Sequence, residues 1–168
     1  MILNHKRTFE FVLAQEQQFA GPFSCALIET IHQYLMKDLL REQGLHTGIM
    51  GITGSNYQPR DSQHQIREAM DVLIQTINKG HDPYSKALTA LQGISYIQPF
   101  TDGNKRAAHL LANGLLLGRD YAPRSYRDVD VRFNRAPLPV FYEQLSIMPM
   151  KTLCKDQYAF STEHYVGV

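Results

Sequence analysis

The stretch Y-I-Q-P-F-T-D-G-N-K-R-A-A-H, residues 96–109, combines residue types that suit phosphate binding at the start of a helix. Pro99 disfavours helical geometry at Gln98, so one helix should end there and the next should begin after Thr101 or Asp102, either of which can cap it. Backbone N–H groups in the first turn of a helix have no intrahelical partner and lie at the positive end of its dipole. The pattern predicts an anion-binding nest at residues 103–106.

Two adjacent cations, Lys105 and Arg106, strengthen this prediction because positive charge is unfavourable at a helix N-terminus unless an anion compensates it. Gly103 allows a ligand to approach the backbone closely. Asp102 could hold Mg²⁺, which commonly joins one or two carboxylates to nucleotide phosphates. The alternative is that Asp102 is only a cap and the two cations form a solvated first turn.

The helix that follows is apolar almost all round, so we expect it to be central and buried. Arg106, His109 and Asn113 are spaced by three and four residues and share one face of it. Polar side chains on a buried face need partners, and a bound polyphosphate would be one.

The elements that position this loop are predicted to be helical. Asp82-Pro83 is a cap followed by proline at the first helical position, and the apolar stripe then continues to residue 97. Apolar spacing predicts the other helices over residues 5–19, 24–43, 61–78, 138–146 and 150–165. Residues 47–59, T-G-I-M-G-I-T-G-S-N-Y-Q-P, alternate apolar and small residues and predict a short β-hairpin or an extended loop.

Length and composition favour a single domain over residues 1–168. Lys and Arg (17) nearly balance Asp and Glu (16), which argues against binding to nucleic acid or to an anionic membrane surface. Cys25 and Cys154 lie far apart and are expected to be reduced and buried. With no signal peptide and no membrane-span pattern, the expected location is cytoplasmic.

The stretch Q-P-F-T-D-G-N-K-R-A-A-H resembles the signature of Fic-domain proteins, H-P-F-x-D/E-G-N-G/K-R-x-x-R. The resemblance extends to L-I-E-T-I-H-Q-Y-L-M-K-D-L, I-T-G-S-N-Y-Q-P, L-L-A-N-G-L-L-L, S-Y-R-D-V-D-V-R-F and F-Y-E-Q-L-S. It implies an all-α fold, a Fic-type helical bundle with a short β-hairpin flap over the active-site loop.

The resemblance also implies a site that binds ATP with Mg²⁺ and transfers AMP to a Ser, Thr or Tyr hydroxyl of a target protein. By this analogy Phe100 anchors the loop, Asp102 holds the metal ion and Arg106 grips the phosphates. The implied nucleotide-binding and phosphate-binding residues are Gly103, Asn104, Lys105, Arg106 and His109. The implied flap, on which a target segment aligns by β-addition, is Ile52, Thr53, Gly54 and Ser55.

The sequence departs from the signature at three positions. Gln98 stands where active members have the histidine that takes the hydroxyl proton, and an amide is not a base near neutral pH. Lys105 replaces a glycine, as in the death-on-curing toxins, relatives that phosphorylate their target. His109 replaces the second arginine and lacks its bidentate fork.

The sequence therefore leaves two main functions open. One is a transferase that moves AMP or phosphate from a nucleotide to a protein hydroxyl, with Gln98 and Arg106 at the catalytic positions. The other is a pseudoenzyme that binds nucleotide or phosphoprotein and acts through a regulatory partner, for example in a toxin–antitoxin setting. Chemistry that needs no histidine, such as transfer from a nucleotide sugar, is a third.

The resemblance is also compatible with self-association into a homo-oligomer. Among the remaining histidines, His32 and His64 are expected at the surface or its boundary, while His46 could approach the site.

Overall fold

Helices form the regular structure in the described part of the chain, which in this computed structural model comprises residues 2–41, 43–52, 55–124, 137–144 and 146–165. The helices are α1 (Ile2–Ala14), α2 (Glu16–Ala20), α3 (Cys25–Leu35), α4 (Gln63–Lys79), α5 (Pro83–Ile97), α6 (Asn104–Leu117), α7 (Pro137–Gln144) and α8 (Met148–Tyr165). The predicted all-α fold class is thus confirmed. None of the described residues within 47–59 forms a strand, so the predicted β-hairpin is not shown.

Helix α6 is the central element, as its apolar composition predicted. Its buried residues cover most of its circumference: Asn104, Ala107, Ala108, Leu110, Leu111, Ala112, Gly114, Leu115 and Leu116. Helix α5 makes the most extensive contact with it, and α1, α2 and α3 also pack against it. The burial of α6 gives the loop at its N-terminus a fixed base.

Glycines allow two of these close contacts. A Cβ on Gly114 of α6 would lie 2.7 Å from two ring carbons of Phe19 in α2. A Cβ on Gly93 of α5 would lie 2.3 Å from a methyl carbon of Leu73 in α4. Both contacts require the absence of a side chain, which lets the neighbouring helices approach closely.

The N-terminus of α5 follows its sequence signals. Asp82 is the N-cap, and its carboxylate accepts a hydrogen bond of 2.7 Å from the backbone N–H of Ser85. Pro83 occupies the first helical position, where the missing N–H costs no hydrogen bond. The predicted start of this helix is confirmed.

Two predicted helix bounds were wrong. The helix predicted over 5–19 is divided into α1 and α2 at Gln15. The helix predicted to run to residue 43 ends at Leu35, and Asp38 beyond it adopts a left-handed backbone with φ of 60°. Asp is one of the residues that tolerate this conformation.

The described chain forms two compact units. The first includes helices α1 to α6, and the second comprises Gly51–Gln58 together with helices α7 and α8. Within the second unit, the Ser55 hydroxyl and the Asn56 backbone N–H lie 3.3 and 3.4 Å from a carboxylate oxygen of Glu143. The single domain expected over residues 1–168 stays a prediction. No helix in the described part of the chain combines the length and apolar character that a membrane span needs.

Candidate phosphate-binding site at the start of α6

The loop between α5 and α6 is anchored by a side chain that hydrogen-bonds back onto it. The amide of Asn104 accepts a hydrogen bond from the Phe100 backbone N–H at 2.9 Å and donates one to the Phe100 carbonyl at 2.6 Å. Asn104 is 6% exposed and Phe100 is fully buried. The predicted anchoring by Phe100 is confirmed. The side chain of Asn104 is used for the same anchoring, and its part in an anion hole stays a prediction.

Gln98 ends α5 in a left-handed conformation, with φ of 53° and ψ of 56°. Pro99 disfavours a right-handed helical conformation at this residue, and a left-handed cap ends the helix instead. The backbone N–H of Gln98 donates to the Ile94 carbonyl at 2.9 Å, and its side-chain amide donates to the Ser95 carbonyl at 2.5 Å. The side chain is therefore tied back to the helix that precedes it.

Asp102 and Arg106 form an ion pair across the first turn of α6. The Arg106 Nη2 donates to Asp102 Oδ2 at 3.0 Å, while Asp102 Oδ1 accepts the Gly103 backbone N–H at 2.6 Å. The Asp102 side chain is 57% exposed and that of Arg106 is 26% exposed. The other terminal nitrogen of Arg106, Nη1, is buried and has no hydrogen-bond partner among the described residues.

Helix α6 begins without a side-chain cap. Its N-cap is Gly103, with φ of 83°, so the prediction that Thr101 or Asp102 caps this helix was wrong. A Cβ on Gly103 would lie 2.9 Å from the Met36 sulfur, which shows how closely the turn approaches the end of α3. The N–H groups of the first turn have no intrahelical acceptor. This end of α6 is therefore suited to bind an anion.

His32, which we expected at the surface or its boundary, lies against this loop and is 1% exposed. Its ring stacks on Phe100 with centroids 3.8 Å apart and planes 9° apart. Its Nε2 lies 2.9 Å from the Asp102 carbonyl oxygen, which can only accept, so Nε2 carries the hydrogen. Burial lowers the pKa of His32 and outweighs the hydrogen bond to Asp102, which raises it.

A sequence signal for this position existed. His32 falls on the apolar stripe of α3 with Ile28 and Leu35, so helical spacing already placed it on the buried face. The expectation of a surface or boundary position for His32 was therefore wrong, because its place on the apolar stripe buries it despite its polar ring. The same expectation for His64 is confirmed, since this residue is exposed.

His46 also lies beside the loop. Its backbone N–H donates to the Pro99 carbonyl at 3.0 Å, and the side chain is 3% exposed. Neither ring nitrogen has a hydrogen-bond partner among the described residues. The adjacent Leu45 carbonyl accepts from the Gln63 side chain at 3.1 Å, which ties this segment to the start of α4.

The remaining predicted residues are placed as follows. Lys105 is exposed on the first turn of α6, and His109 is partly buried one turn later. Of the predicted flap, Thr53 and Gly54 lie outside the described residues, while Ile52 and Ser55 belong to the second compact unit. There they line an open hollow of ≈ 490 Å³ with Gly51 and residues 56–58.

The loop fits Mg²⁺ held jointly with phosphates and does not fit a metal held by protein groups alone. The described residues contain no cluster of three or more His, Cys, Asp or Glu side chains that could hold a metal ion. Asp102 offers one largely exposed carboxylate, which suits a hydrated Mg²⁺ that takes its other ligands from phosphate and water.

The loop and the helices on either side of it lie in a region that matches the sequence model of a known protein family. The sequence model of the Fic/DOC family matches residues 22–116, which include α3 to α6 except for the last residue of α6 and contain the whole loop. No curated protein matches the chain by sequence.

Solved structures with the same fold come from several bacteria. A Fic-domain-containing signalling protein from Bacteroides thetaiotaomicron is 18% identical, with a TM-score of 0.76 over 95% of this chain and 68% of the other. A Fic family protein from Desulfovibrio desulfuricans is 22% identical, with a TM-score of 0.75 over 98% of this chain and 54% of the other.

The N-terminal Fic domain of a putative cell filamentation protein from Bartonella quintana, solved with bound ADP, is also similar. It is 16% identical to this chain, with a TM-score of 0.63 over 90% of this chain and 85% of that domain. These likenesses establish the fold.

Proposed function

The chain belongs to the Fic/DOC family, and we propose that it binds Mg-ATP or a related nucleotide through the phosphates at the start of α6. We further propose that it transfers AMP, or phosphate, slowly to a Ser, Thr or Tyr hydroxyl of a target protein. Cytoplasmic ATP and protein would be its substrates.

The main support for this proposal is the incomplete hydrogen bonding of the Arg106 guanidinium. One terminal nitrogen of its guanidinium bonds Asp102, and the other is buried without a partner among the described residues. A buried cationic donor without a partner is costly, and it lies in the first turn of a helix that has no side-chain cap. A phosphate group would supply the missing acceptor and would also accept hydrogen bonds from backbone N–H groups of that turn.

The structural neighbours support a nucleotide as the source of that phosphate. The Bartonella quintana domain was solved with ADP, and the BepC protein of Bartonella tribocorum was solved with AMPPNP. Asp102 would hold Mg²⁺ together with the nucleotide phosphates. The ion would neutralise charge on the phosphates and on the leaving group.

In AMP transfer, the target hydroxyl oxygen attacks the α-phosphorus, the bond from this phosphorus to the bridging β-phosphate oxygen breaks, and pyrophosphate leaves. Arg106 and the N–H groups of Gly103 to Lys105 would stabilise the negative charge on the phosphates during this step. In phosphate transfer, attack occurs at the γ-phosphorus and ADP leaves.

The hydroxyl proton has no base at position 98. Gln98 cannot accept it, so no side chain at this position removes the proton during transfer. Loss of a general base commonly lowers a rate by about 10²–10⁴-fold. We therefore expect binding of ordinary strength and slow transfer.

A second candidate function is a pseudoenzyme that binds a nucleotide or a phosphoprotein and acts through a partner. The hydrogen bond from the Gln98 side chain to the Ser95 carbonyl favours it, because this bond turns the amide toward α5. The same interaction would also hold Gln98 away from an acceptor hydroxyl.

The position of the label on ATP distinguishes AMP transfer from phosphate transfer, and the absence of any protein-bound label distinguishes a pseudoenzyme from both. The wild type and Gln98→His are incubated with Mg²⁺ and ATP labelled at either the α-phosphorus or the γ-phosphorus, and self-modification and modification of added cell proteins are measured. Protein-bound α-label indicates AMP transfer, and protein-bound γ-label indicates phosphate transfer. We expect Gln98→His to raise transfer at least tenfold. Binding of ATP with no transfer by either protein would favour the pseudoenzyme.

A further inference from the structure

His32 links the end of α3 to the loop that we assign to phosphate binding, and it does so through two different contacts. Its ring face covers Phe100, and its Nε2–H bonds the carbonyl oxygen of Asp102. The side chain is 1% exposed. Each contact falls on a residue of the loop between α5 and α6.

The bond to Asp102 fixes the orientation of one peptide group. The chain has no cis peptide among its described residues, and in a trans peptide the C=O and N–H point in opposite directions. Because the Asp102 carbonyl points inward to His32, the Gly103 N–H of the same peptide points away from it. There it donates a hydrogen bond of 2.6 Å to the carboxylate of Asp102, whose side chain is 57% exposed.

Gly103 makes the opposite orientation accessible. With φ of 83°, it can exchange a positive φ for a negative one at little cost, because glycine has no Cβ. Such a flip of the Asp102–Gly103 peptide would turn the N–H inward and place a carbonyl oxygen where an anion should bind. The flip would also break the hydrogen bond from His32.

We propose that His32 is a positioning residue that locks the Asp102–Gly103 peptide with its N–H toward the bound phosphate. The proposal rests on the proposed function for its consequence, nucleotide affinity, while the lock itself is independent of any ligand. His32 acts through the peptide and does not touch the phosphate.

Histidine combines two properties that the position needs. A phenylalanine at 32 would keep an aromatic ring against Phe100 and would lose the donor to Asp102. A glutamine would lose the ring and keep an amide donor at a similar distance from the backbone. The two substitutions therefore separate packing from hydrogen bonding.

The test compares His32→Phe, His32→Gln and the control Asn78→Ala with the wild type. Asn78 donates to the Phe23 carbonyl at 2.9 Å and accepts from the Phe23 N–H at 3.1 Å, so its loss removes side-chain-to-backbone bonds outside the loop. Affinity for Mg-ATP is measured by titration calorimetry well below the unfolding temperature. The Gly103 amide is followed by nitrogen-15 relaxation dispersion without nucleotide.

We expect His32→Phe to weaken Mg-ATP binding about two- to tenfold, the effect of one net hydrogen bond. We also expect new millisecond exchange at the Gly103 amide, a partial recovery of affinity in His32→Gln, and unchanged affinity in Asn78→Ala even though that variant is less stable. A general loss of stability would not produce this pattern of affinity and amide exchange across the three variants.

Two results would overturn the proposal. An unchanged Gly103 amide in His32→Phe would show that no lock exists, whatever the binding data. Unchanged affinity in this variant, where the wild type binds Mg-ATP, would show that the peptide does not control anion binding. Absence of binding in the wild type would refute the proposed function instead, and the amide measurement would then decide on the lock alone.

Discussion

Replacement of Asn104 by alanine should destabilise the fold strongly, because the side chain closes the loop onto itself. Its amide makes hydrogen bonds of 2.9 and 2.6 Å to the N–H and C=O of Phe100 and is itself 6% exposed. Phe100 is fully buried, so water cannot easily replace either partner. The alanine variant leaves both backbone groups unpaired in the interior.

The magnitude follows from these two groups. An unsatisfied buried donor or acceptor costs about 1–3 kcal/mol. Partial relaxation of the loop toward solvent reduces the sum for two such groups, so we expect a loss of about 2–4 kcal/mol in the free energy of unfolding. Asn78 makes the same pair of bonds to Phe23 in a partly buried setting, and Asn78→Ala should cost less, about 1–2 kcal/mol.

The assay is urea denaturation of the two variants and the wild type, followed by circular dichroism. Asn104→Ala should have the lower midpoint of the two variants and should also lose affinity for Mg-ATP, whereas Asn78→Ala should keep it. A loss below about 0.5 kcal/mol in Asn104→Ala, the range of ordinary surface substitutions, would refute the reasoning.

Three further outcomes are expected. Asp82→Ala should lower the free energy of unfolding by about 1 kcal/mol at pH 7. The hydrogen bonds from Ser85 lower the pKa of Asp82 below its ordinary 3.8. The stabilisation by its carboxylate is therefore fully present above pH 3.8 and is lost as the pH falls through the lowered pKa. In acid-denaturation curves, the stabilities of wild type and variant should converge below that pKa. Gly114→Ala should lower the free energy of unfolding by about 1–3 kcal/mol, because the new Cβ overlaps the Phe19 ring. Gly21→Ala is the control: no atom lies within 4 Å of its Cβ, so it should change the urea midpoint little. Burial, and to a smaller extent the neighbouring Glu29, raises the pKa of the Cys25 thiol to about 12. Iodoacetamide at about pH 8 should therefore alkylate this thiol far more slowly in the folded protein than in urea. Equal alkylation rates, measured by mass spectrometry, would contradict its burial.

The sequence predicted the frame of the site because its signals are local. Asp82-Pro83 marks the start of α5, Pro99 marks its end, and the apolar run after Asp102 marks a buried helix. Each depends on backbone geometry or helical periodicity, which act within a few residues. The division between α1 and α2 at Gln15 has no proline or glycine to indicate it, so it could not be predicted in this way.

The contacts inside the site depend on which elements meet in space. The bond from His32 to Asp102 joins residues 70 positions apart, and the amide pair of Asn104 with Phe100 depends on how the loop turns. Helical periodicity could have placed His32 on a buried face, but it could not have identified Asp102 as its partner. The Gln98 substitution could be read directly from the motif, whereas its side-chain bond to the Ser95 carbonyl required the structure.

The central claim is that Arg106 and the N-terminus of α6 bind the phosphates of a nucleotide. Titration calorimetry of Mg-ATP into the wild type, Arg106→Ala and Arg119→Ala tests it most directly, because Arg119 is an exposed arginine just beyond the other end of the same helix. Charge-assisted hydrogen bonds are worth about 1.5–3 kcal/mol, so Arg106→Ala should weaken binding at least tenfold and Arg119→Ala should leave it unchanged. Equal affinity in all three proteins, or no heat with ATP, GTP or CTP in the wild type, would contradict the account.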